Sequence, residues 1–223
     1  MEPGSPRESI VLFGCGSRMI VDVEESCIRL GLEIAAIVKN VEGPDYALSC
    51  GRIVKAEEVE PAIKRCPYLV PFFTPGHRFA AHRDAVGRGF GSPATVVDPT
   101  AVVARSTTMG RGTYVNAGAV IGAAARIGAF VFINRSASIG HHVEIEDFAS
   151  VGPGAIVCGS ARLGRGAVAA AGAIILPEVE VGRNSVVAAG AVARESVADH
   201  CLAAGNPARI VDANYAGFRN ISL

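Results

Sequence analysis

Residues 133–163 read INRSASIGHHVEIEDFASVGPGAIVCGSARL, and a large aliphatic residue returns there at every sixth position. The same period holds from Val97 to Val187, over sixteen positions of which only Ala169 is small. The residue four places after each of these is small or β-branched almost throughout. A period of six fits neither an α-helix nor an alternating strand. This hexapeptide repeat predicts a parallel β-helix.

Each hexad supplies a short strand and a tight corner, with its aliphatic side chain inside a narrow prism. Three hexads form one triangular turn, so residues 18 apart stack on one wall. One predicted wall contains Val97, Val115, Ile133 and Val151, and the next contains Val103, Ile121, Ile139 and Val157. Each rung covers the apolar face of its neighbour, which predicts a solenoid of roughly five turns.

Composition narrows the class of protein. The chain has 223 residues, which fits one large or two small domains, and its formal net charge is +0, which argues against a nucleic-acid partner. Six cysteines without a CxxC pair indicate reduced thiols. The opening MEPGSPRES lacks the apolar core of a secretory signal, and Ile10–Phe13 is too short to span a membrane. We therefore expect a cytoplasmic protein with no membrane partner.

The residues before the repeat alternate between strand and helix patterns. The predicted elements, in order, are a strand at Ile10–Phe13, a helix at Ile20–Leu30, a strand at Leu32–Val38, a helix at Ala56–Arg65, a strand at Leu69–Phe73 and a helix at Arg78–Val86. Such alternation predicts a small parallel sheet with helices on its faces. Residues 88–96 read as a linker, so the predicted domains are 1–92 and 93–223.

The first strand ends at Gly14-Cys15-Gly16-Ser17-Arg18, immediately before a helix. A glycine turn at a helix start can bind phosphate through its backbone N–H groups, and an arginine there can add a charged contact. The full GxGxxG pattern is absent, because residue 19 is Met. The second strand is followed by Lys39 and Asn40 and not by an acidic residue. A phosphate site and a turn without a ligand both remain open.

Two adjacent histidines, His141 and His142, stand in the repeat near a predicted corner. An imidazole titrates near neutral pH, so His141 is a candidate general base. An exposed histidine without a catalytic role is the alternative. No third histidine has a solenoid spacing, so we expect no metal site. Near the carboxyl end, residues 202–209 (LAAGNPAR) could be a turn that stops the stacking or a loop that holds an anion beside Arg209.

The chain resembles the hexapeptide-repeat sugar acyltransferases, typified by sialic acid O-acetyltransferases and by N-acetyltransferases of nucleotide-linked 4-amino sugars of the bacillosamine and perosamine type. The resemblance runs from Val11 to Ile210. The segments that carry it are VLFGCGS (11–17), the repeats, residues 133–148, GPGAIVCG (152–159), AAGAIILPEVEVG (170–182) and AAGNPARIV (203–211).

This resemblance implies a Rossmann-like α/β domain followed by a left-handed β-helix, assembled as a homotrimer with active sites between solenoids. It implies acetyl-CoA as cosubstrate and a sugar or nucleotide-sugar acceptor held at Asn134 and at residues 14–18. His141 takes the position of the catalytic base, with His142 beside it, and the Gly159 N–H faces the thioester oxygen. The acyl-CoA contacts implied by the resemblance are Ser150, Ala171, Ala189, Asn206 and Arg209.

Three features of the sequence depart from the family pattern. His142 replaces the acidic residue that usually follows the base, which leaves Glu144 or Asp147 as candidates to orient His141. Ser150 replaces a histidine that commonly lines the CoA groove. Ser17-Arg18 stands where Gly-His is usual. These departures concern the choice of acceptor more than the transfer chemistry.

Four hypotheses follow. The first is N-acetylation of an amino sugar, and the second is O-acetylation of a sugar hydroxyl by the same scaffold. The third is a non-catalytic trimeric β-helix protein, and the fourth is a metal-dependent solenoid hydratase. A thiol-release assay with amino and hydroxy acceptors, followed by the mass of the product, distinguishes the first two hypotheses. Zinc bound to the purified protein would identify the fourth.

Overall fold

The computed structural model describes residues 8–48 and 51–223. The segment MEPGSPRES, in which we expect no secretory signal, lies mostly outside this range. Cys50 also lies outside it. The five cysteines within it are all free thiols. In the described part of the chain, no helix combines the length and apolarity needed to cross a bilayer.

The amino-terminal part is a four-stranded parallel sheet with helices packed on it. Its elements are β1 (Ser9–Phe13), α1 (Ile20–Leu30), β2 (Glu33–Lys39), β3 (Ile53–Lys55), a 3₁₀ turn (Ala56–Glu58), α2 (Pro61–Lys64), β4 (Tyr68–Leu69) and α3 (Pro75–Gly87). The strand order is β3-β2-β1-β4. Ile10 and Leu12 pack with α1 and the solenoid, whereas Val11 and Phe13 pack on the side of α3.

Two predicted elements in this part are wrong in extent. The predicted helix over Ala56–Arg65 is interrupted, because Glu60 precedes Pro61 and is extended, with ψ of 148°. Only a short turn and a four-residue helix form on either side. The predicted strand Leu69–Phe73 is reduced to Tyr68–Leu69. The strand Ile53–Lys55, on the outer edge of the sheet, was not predicted.

The remainder is the predicted parallel β-helix of two-residue strands. The strands are β5 (Val96–Val97), β6 (Val102–Val103), β7 (Thr108–Met109), β8 (Tyr114–Val115), β9 (Val120–Ile121), β10 (Arg126–Ile127), β11 (Phe132–Ile133), β12 (Ser138–Ile139), β13 (Glu144–Ile145), β14 (Ser150–Val151), β15 (Ile156–Val157), β16 (Arg162–Leu163), β17 (Val168–Ala169), β18 (Ile174–Ile175), β19 (Glu180–Val181), β20 (Val186–Val187) and β21 (Val192–Ala193). Strands 18 residues apart pair in parallel, as when Phe132 pairs with Ser150. The second residue of each strand faces a continuous apolar interior.

The three walls differ in what their outward side chains meet. The buried wall (β5, β8, β11, β14, β17, β20) lies under the amino-terminal sheet and carries Tyr114 and Phe132 outward. The charged wall (β7, β10, β13, β16, β19) carries charged residues, including the Arg126–Glu144 ion pair at 2.9 Å. The apolar wall (β6, β9, β12, β15, β18, β21) exposes aliphatic side chains to solvent.

One of the two sequence interpretations of residues 202–209 holds only in part. The first four residues still add a strand to the stack, because β22 (Leu202–Gly205) pairs in parallel with β20 and extends the buried wall, and the parallel stacking ends at the turn that follows. β23 (Ala208–Asp212) then returns antiparallel to β22. A carboxy-terminal segment, residues 213–223, folds back over the buried wall and includes a 3₁₀ turn at Phe218–Asn220.

A buried arginine joins the two parts of the chain. Arg78 of α3 is 1 % exposed. Its guanidinium donates to solenoid carbonyl oxygens of Phe130, Phe148 and Ala149 and to the Ser150 hydroxyl, at 2.7 to 3.0 Å. Burial lowers its pKa to about 9, so the guanidinium remains charged at neutral pH. These contacts fix the amino-terminal sheet on the buried wall.

Candidate functional site

The predicted site residues lie on two different edges of the prism. Asn134, Ala171 and Ala189 stand at corners between the buried and apolar walls, which we call the Asn134 edge. His141 and Gly159 stand at corners between the apolar and charged walls, which we call the His141 edge. The strand β12 separates the two edges, since Asn134 precedes it and His141 follows it. One chain therefore does not bring all predicted residues together.

A large open cavity lies along the Asn134 edge, between the solenoid, the glycine turn and the carboxy-terminal segment. Its volume is about 910 Å³. The predicted residues that line it are Gly16, Ser17, Arg18, Asn134, Ala171 and Ala189. The glycine turn and the predicted acyl-CoA positions thus share one groove, although they are far apart in the sequence.

The cavity is cationic. Arg18, Arg135 and Arg219 line it, and none of its described lining residues is Asp or Glu. Arg135 is paired with Asp22 at 2.7 Å, and the guanidinium of Arg18 lies 5.2 Å from the centre of the Tyr46 ring. Such a groove favours an anionic ligand that also has an apolar or aromatic part.

Only part of the glycine turn faces this cavity. Gly14 has φ of +103°, which residues other than glycine rarely adopt, and a side chain there would also collide with the ring of Phe72. Conformation and packing therefore require glycine at this position without any ligand. Cys15 is 2 % exposed, and burial raises the pKa of its thiol. Gly14 and Cys15 thus lie beneath the groove, whereas residues 16–18 lie on it.

Asn134 is held in place by its neighbours. It is 4 % exposed, and its side-chain oxygen accepts hydrogen bonds from Asn116 Nδ2 at 3.0 Å and from the Arg135 backbone N–H at 2.8 Å. Asn116 also donates to Asp22 of α1 at 3.1 Å. This chain of hydrogen bonds connects the Asn134 edge of the solenoid to α1 of the amino-terminal part.

On the His141 edge, the imidazole of His141 lies over Gly159, one turn farther along the solenoid. A methyl group on Gly159 would be 2.6 Å from Cε1 and 2.7 Å from Nε2 of His141. In the described part of the chain, the Gly159 N–H donates to no acceptor. A base and a free backbone donor are thus adjacent, which is the pairing that acyl transfer requires.

His142 is the hydrogen-bond partner of His141. The two Nδ1 atoms are 3.1 Å apart, so one ring donates and the other accepts. Glu144 and Asp147, the alternative orienting residues, are engaged elsewhere: Glu144 pairs with Arg126, and Asp147 accepts from the Ala129 N–H at 2.7 Å. With its proton on Nδ1, His141 would present Nε2 as the base.

Three predicted acyl-CoA residues lie outside the cavity. Ser150 is fully buried, and its hydroxyl donates to the Phe73 carbonyl at 2.6 Å and accepts from Arg78, so its contacts are internal. Asn206 and Arg209 are exposed on the β22–β23 hairpin, and neither lines the cavity. Leu202, at the start of that hairpin, does line it.

Several lining residues were not predicted. Phe72, Phe73, Thr74 and His77 come from the loop before α3 and from its first turn, and Tyr215, Phe218 and Arg219 come from the carboxy-terminal segment. The sequence gives one signal for them: Phe72, Phe73, Tyr215 and Phe218 are aromatic residues in segments without a repeat. Within residues 8–48 and 51–223, no three side chains of His, Cys, Asp or Glu are close enough to hold a metal ion.

Neither a protein-family model nor a curated protein matches the sequence, whereas solved structures do. One is from Caulobacter crescentus, in complex with CoA and GDP-perosamine; it is 27% identical, with TM-score 0.80, and covers 93% of this chain and 99% of its own. A mutant of perosamine N-acetyltransferase from the same organism, with the same two ligands, has TM-score 0.81 and 26% identity over 93% of this chain and 98% of its own.

The acetyltransferase domain of PglB from Neisseria gonorrhoeae, in complex with acetyl coenzyme A, is 25% identical, with TM-score 0.80. The match covers 92% of this chain and 100% of that one. The resemblance predicted from the sequence is confirmed by these structures, and the CoA or acetyl coenzyme A that they contain agrees with the cosubstrate that it implies. The chain is thus similar, over nearly its whole length, to the sugar N-acyltransferases of the hexapeptide-repeat type.

Proposed function

We propose that this chain is an acetyl-CoA-dependent N-acetyltransferase with His141 as general base, acting on an amino sugar linked to a nucleotide. The observation that carries the proposal is the imidazole of His141 beside the free N–H of Gly159. The cationic cavity supports an acceptor that bears phosphate. The structural neighbours that bind CoA and GDP-perosamine support the same class.

The mechanism is direct transfer. His141 removes a proton from the acceptor amine as the amine nitrogen bonds to the thioester carbonyl carbon. The Gly159 N–H donates to the oxyanion of the tetrahedral intermediate, because a fixed backbone donor stabilises charge as it develops. The carbon–sulfur bond then breaks, the amide forms, and the proton on His141 passes to the departing thiolate. No residue of the chain is acylated.

The finer description of the fold is part of the proposal. The sheet order β3-β2-β1-β4 supports a Rossmann-like unit, since this order begins the dinucleotide-binding sheet. We assign left-handed winding to the solenoid by the same resemblance. The domains 1–92 and 93–223 and the cytoplasmic location stay predictions.

We also propose a homotrimer, and the apolar wall supports it. Val102, Val120 and Ile156 are 63%, 46% and 40% exposed on its outer face. The buried wall is already covered, and the charged wall is suited to solvent. If three copies place their apolar walls toward a common axis, the His141 edge of each adjoins the Asn134 edge of the next. The base of one copy then faces the cavity of its neighbour.

The test is thiol release from acetyl-CoA with a panel of amino and hydroxy nucleotide sugars, followed by the product mass. We expect an amide product with an amino sugar. His141→Asn should lower turnover by about 10²–10⁴-fold, the range of general base catalysis. His200→Asn is the matched control, because His200 is exposed on another edge and has φ of 56°, which asparagine tolerates. Full activity of His141→Asn would overturn the proposal.

Subunit complementation tests the shared site. His141→Asn and Arg18→Glu alter the two edges separately, so each variant alone should be inactive. Trimers formed from a mixture should regain activity, because some interfaces then combine an intact His141 edge with an intact cavity. A mixture that stays inactive, despite proven exchange of subunits, would place the site within one chain.

A further inference from the structure

We infer that the carboxy-terminal segment, residues 213–223, is a wall of the ligand cavity and that Arg219 binds a phosphate of the ligand there. The inference rests on the proposed function, because it takes the ligand to be a nucleotide. It concerns residues beyond the segment that carries the family resemblance, which ends at Ile210. Its support comes from the anchoring of the segment, its aromatic face and its charge.

Several contacts anchor the segment. The Tyr215 N–H donates to the His200 carbonyl at 2.7 Å, and the Leu223 N–H donates to Asn184 Oδ1 at 3.3 Å. Ile221 packs against Gly76 so closely that a side chain at Gly76 would collide with it. The segment is therefore attached both to the solenoid and to the first turn of α3, and it bridges the two parts of the chain.

Aromatic side chains of this segment form one side of the cavity. The Phe218 ring packs edge-on against Phe73, with ring centres 5.6 Å apart, and it joins Tyr215 and Leu202 in a cluster over Val168 and Val186. Tyr215, Phe218 and Arg219 all line the cavity. Removing the segment would expose this apolar cluster and leave the groove without one side.

Arg219 supplies positive charge that no acidic residue in the described part of the chain neutralises. It is exposed and lines a cavity that has no acidic residue. Among the described residues, it forms no ion pair, whereas Arg135 in the same cavity is paired with Asp22. A guanidinium that faces a groove without a carboxylate partner is suited to bidentate contact with phosphate.

The phosphate could belong to either nucleotide of the proposed reaction, since CoA and a nucleotide sugar both contain a diphosphate. The experiment separates the two sources. Calorimetric titrations would measure the dissociation constants of CoA and of a panel of nucleoside diphosphates (GDP, UDP and dTDP), each with the full-length protein. The variants are Arg219→Gln and Arg219→Lys. Arg52→Gln is the control, because Arg52 is 74 % exposed and forms only a distant pair with Glu60, at 3.8 Å.

We expect Arg219→Gln to weaken one of the two ligand types by about tenfold, the effect of losing one charge-assisted contact. Arg219→Lys should recover part of the affinity, which a purely structural role would not predict. Weaker CoA binding would assign the phosphate to the cosubstrate, and weaker nucleoside diphosphate binding would assign it to the acceptor. The control should bind both normally.

A second variant tests whether the carboxy-terminal segment forms a side of the cavity. Gly76→Val leaves Arg219 intact but displaces Ile221, so it should weaken the same ligand as Arg219→Gln does. Unchanged affinities in Arg219→Gln would overturn the inference while the transferase proposal stood. If the unmutated protein binds CoA and a nucleoside diphosphate but transfers no acetyl group, the proposed function alone would be overturned. A parent that binds neither CoA nor any of the nucleoside diphosphates would overturn both.

Discussion

The imidazole of His141 occupies the space in which a side chain at residue 159 would lie, and glycine at that position makes this possible. A Cβ atom added to Gly159 would lie 2.6 Å from Cε1 and 2.7 Å from Nε2 of His141. The backbone of Gly159 is not in the left-handed region, so conformation does not require glycine here. The close approach of the ring is the physical reason for this residue.

We therefore expect Gly159→Ala to displace the imidazole and to lower kcat by about 10²-fold, because small errors in the placement of a base are costly. The melting temperature should hardly change, since His141 is exposed. Steady-state kinetics with saturating acetyl-CoA measure the effect. Gly91→Ala is the matched control, because an added Cβ there meets no atom within 4 Å. Wild-type kcat in Gly159→Ala would argue against a catalytic role for this edge.

A lysine on the apolar wall should prevent trimer formation. Ile156 is 40% exposed on that wall, and a charge there would be buried without a partner if three copies met through it. We expect Ile156→Lys to sediment as a monomer and to lose activity, while its unfolding remains cooperative. Thr108→Lys, at the corresponding outward position of the charged wall, should remain trimeric. A trimeric Ile156→Lys protein would contradict the proposed interface.

Removal of the Arg78 guanidinium should destabilise the junction between sheet and solenoid. Arg78→Met leaves several buried carbonyl groups without a donor, and we expect a loss of about 3 kcal/mol or more in the free energy of unfolding. Urea denaturation measures it. Arg83→Met, an exposed position of the same helix, should change stability little. Equal stabilities of the two variants would show that the Arg78 contacts are not needed.

The buried carboxylate of Asp98 predicts a loss of stability in acid. Burial raises its pKa, but hydrogen bonds from Ser26, Thr100 and Arg29 outweigh this and lower the pKa to about 2. Its contribution, about 2 kcal/mol, is present above pH ~4 and is lost as the pH falls toward 2.

Asp98→Asn should therefore be less stable than the parent at pH 7, and the difference should shrink between pH 4 and pH 2. Urea unfolding at these pH values measures it. Asp45→Asn is the control, because the Asp45 side chain is 43% exposed and its pair with Lys39 is long, at 4.0 Å. A difference that does not depend on pH would contradict the assigned role of the carboxylate.

The sequence predicted the solenoid well because its signal is local and repeated. Each aliphatic residue of the hexad lies inside the prism, as shown by Ile133, Val151 and Val157, all fully buried. The amino-terminal elements were predicted less well in their extents, since a short buried strand such as Tyr68–Leu69 has no period. The restriction on the residue before Pro61 signals the interruption of the second predicted helix, but the apolar spacing around it favours a continuous one.

By itself, the sequence determined the β-helix, identified His141 as the candidate base and showed the resemblance to sugar acyltransferases. The tertiary structure alone decided that Asn134 and His141 lie on different edges of the prism, that Ser150 is buried under Arg78, and that Tyr215, Phe218 and Arg219 line the cavity. The physical reason is that a repeat fixes which face each side chain takes within its own turn. It does not fix which distant, non-repeating segment covers that face, because such contacts depend on packing between parts of the chain with no common period.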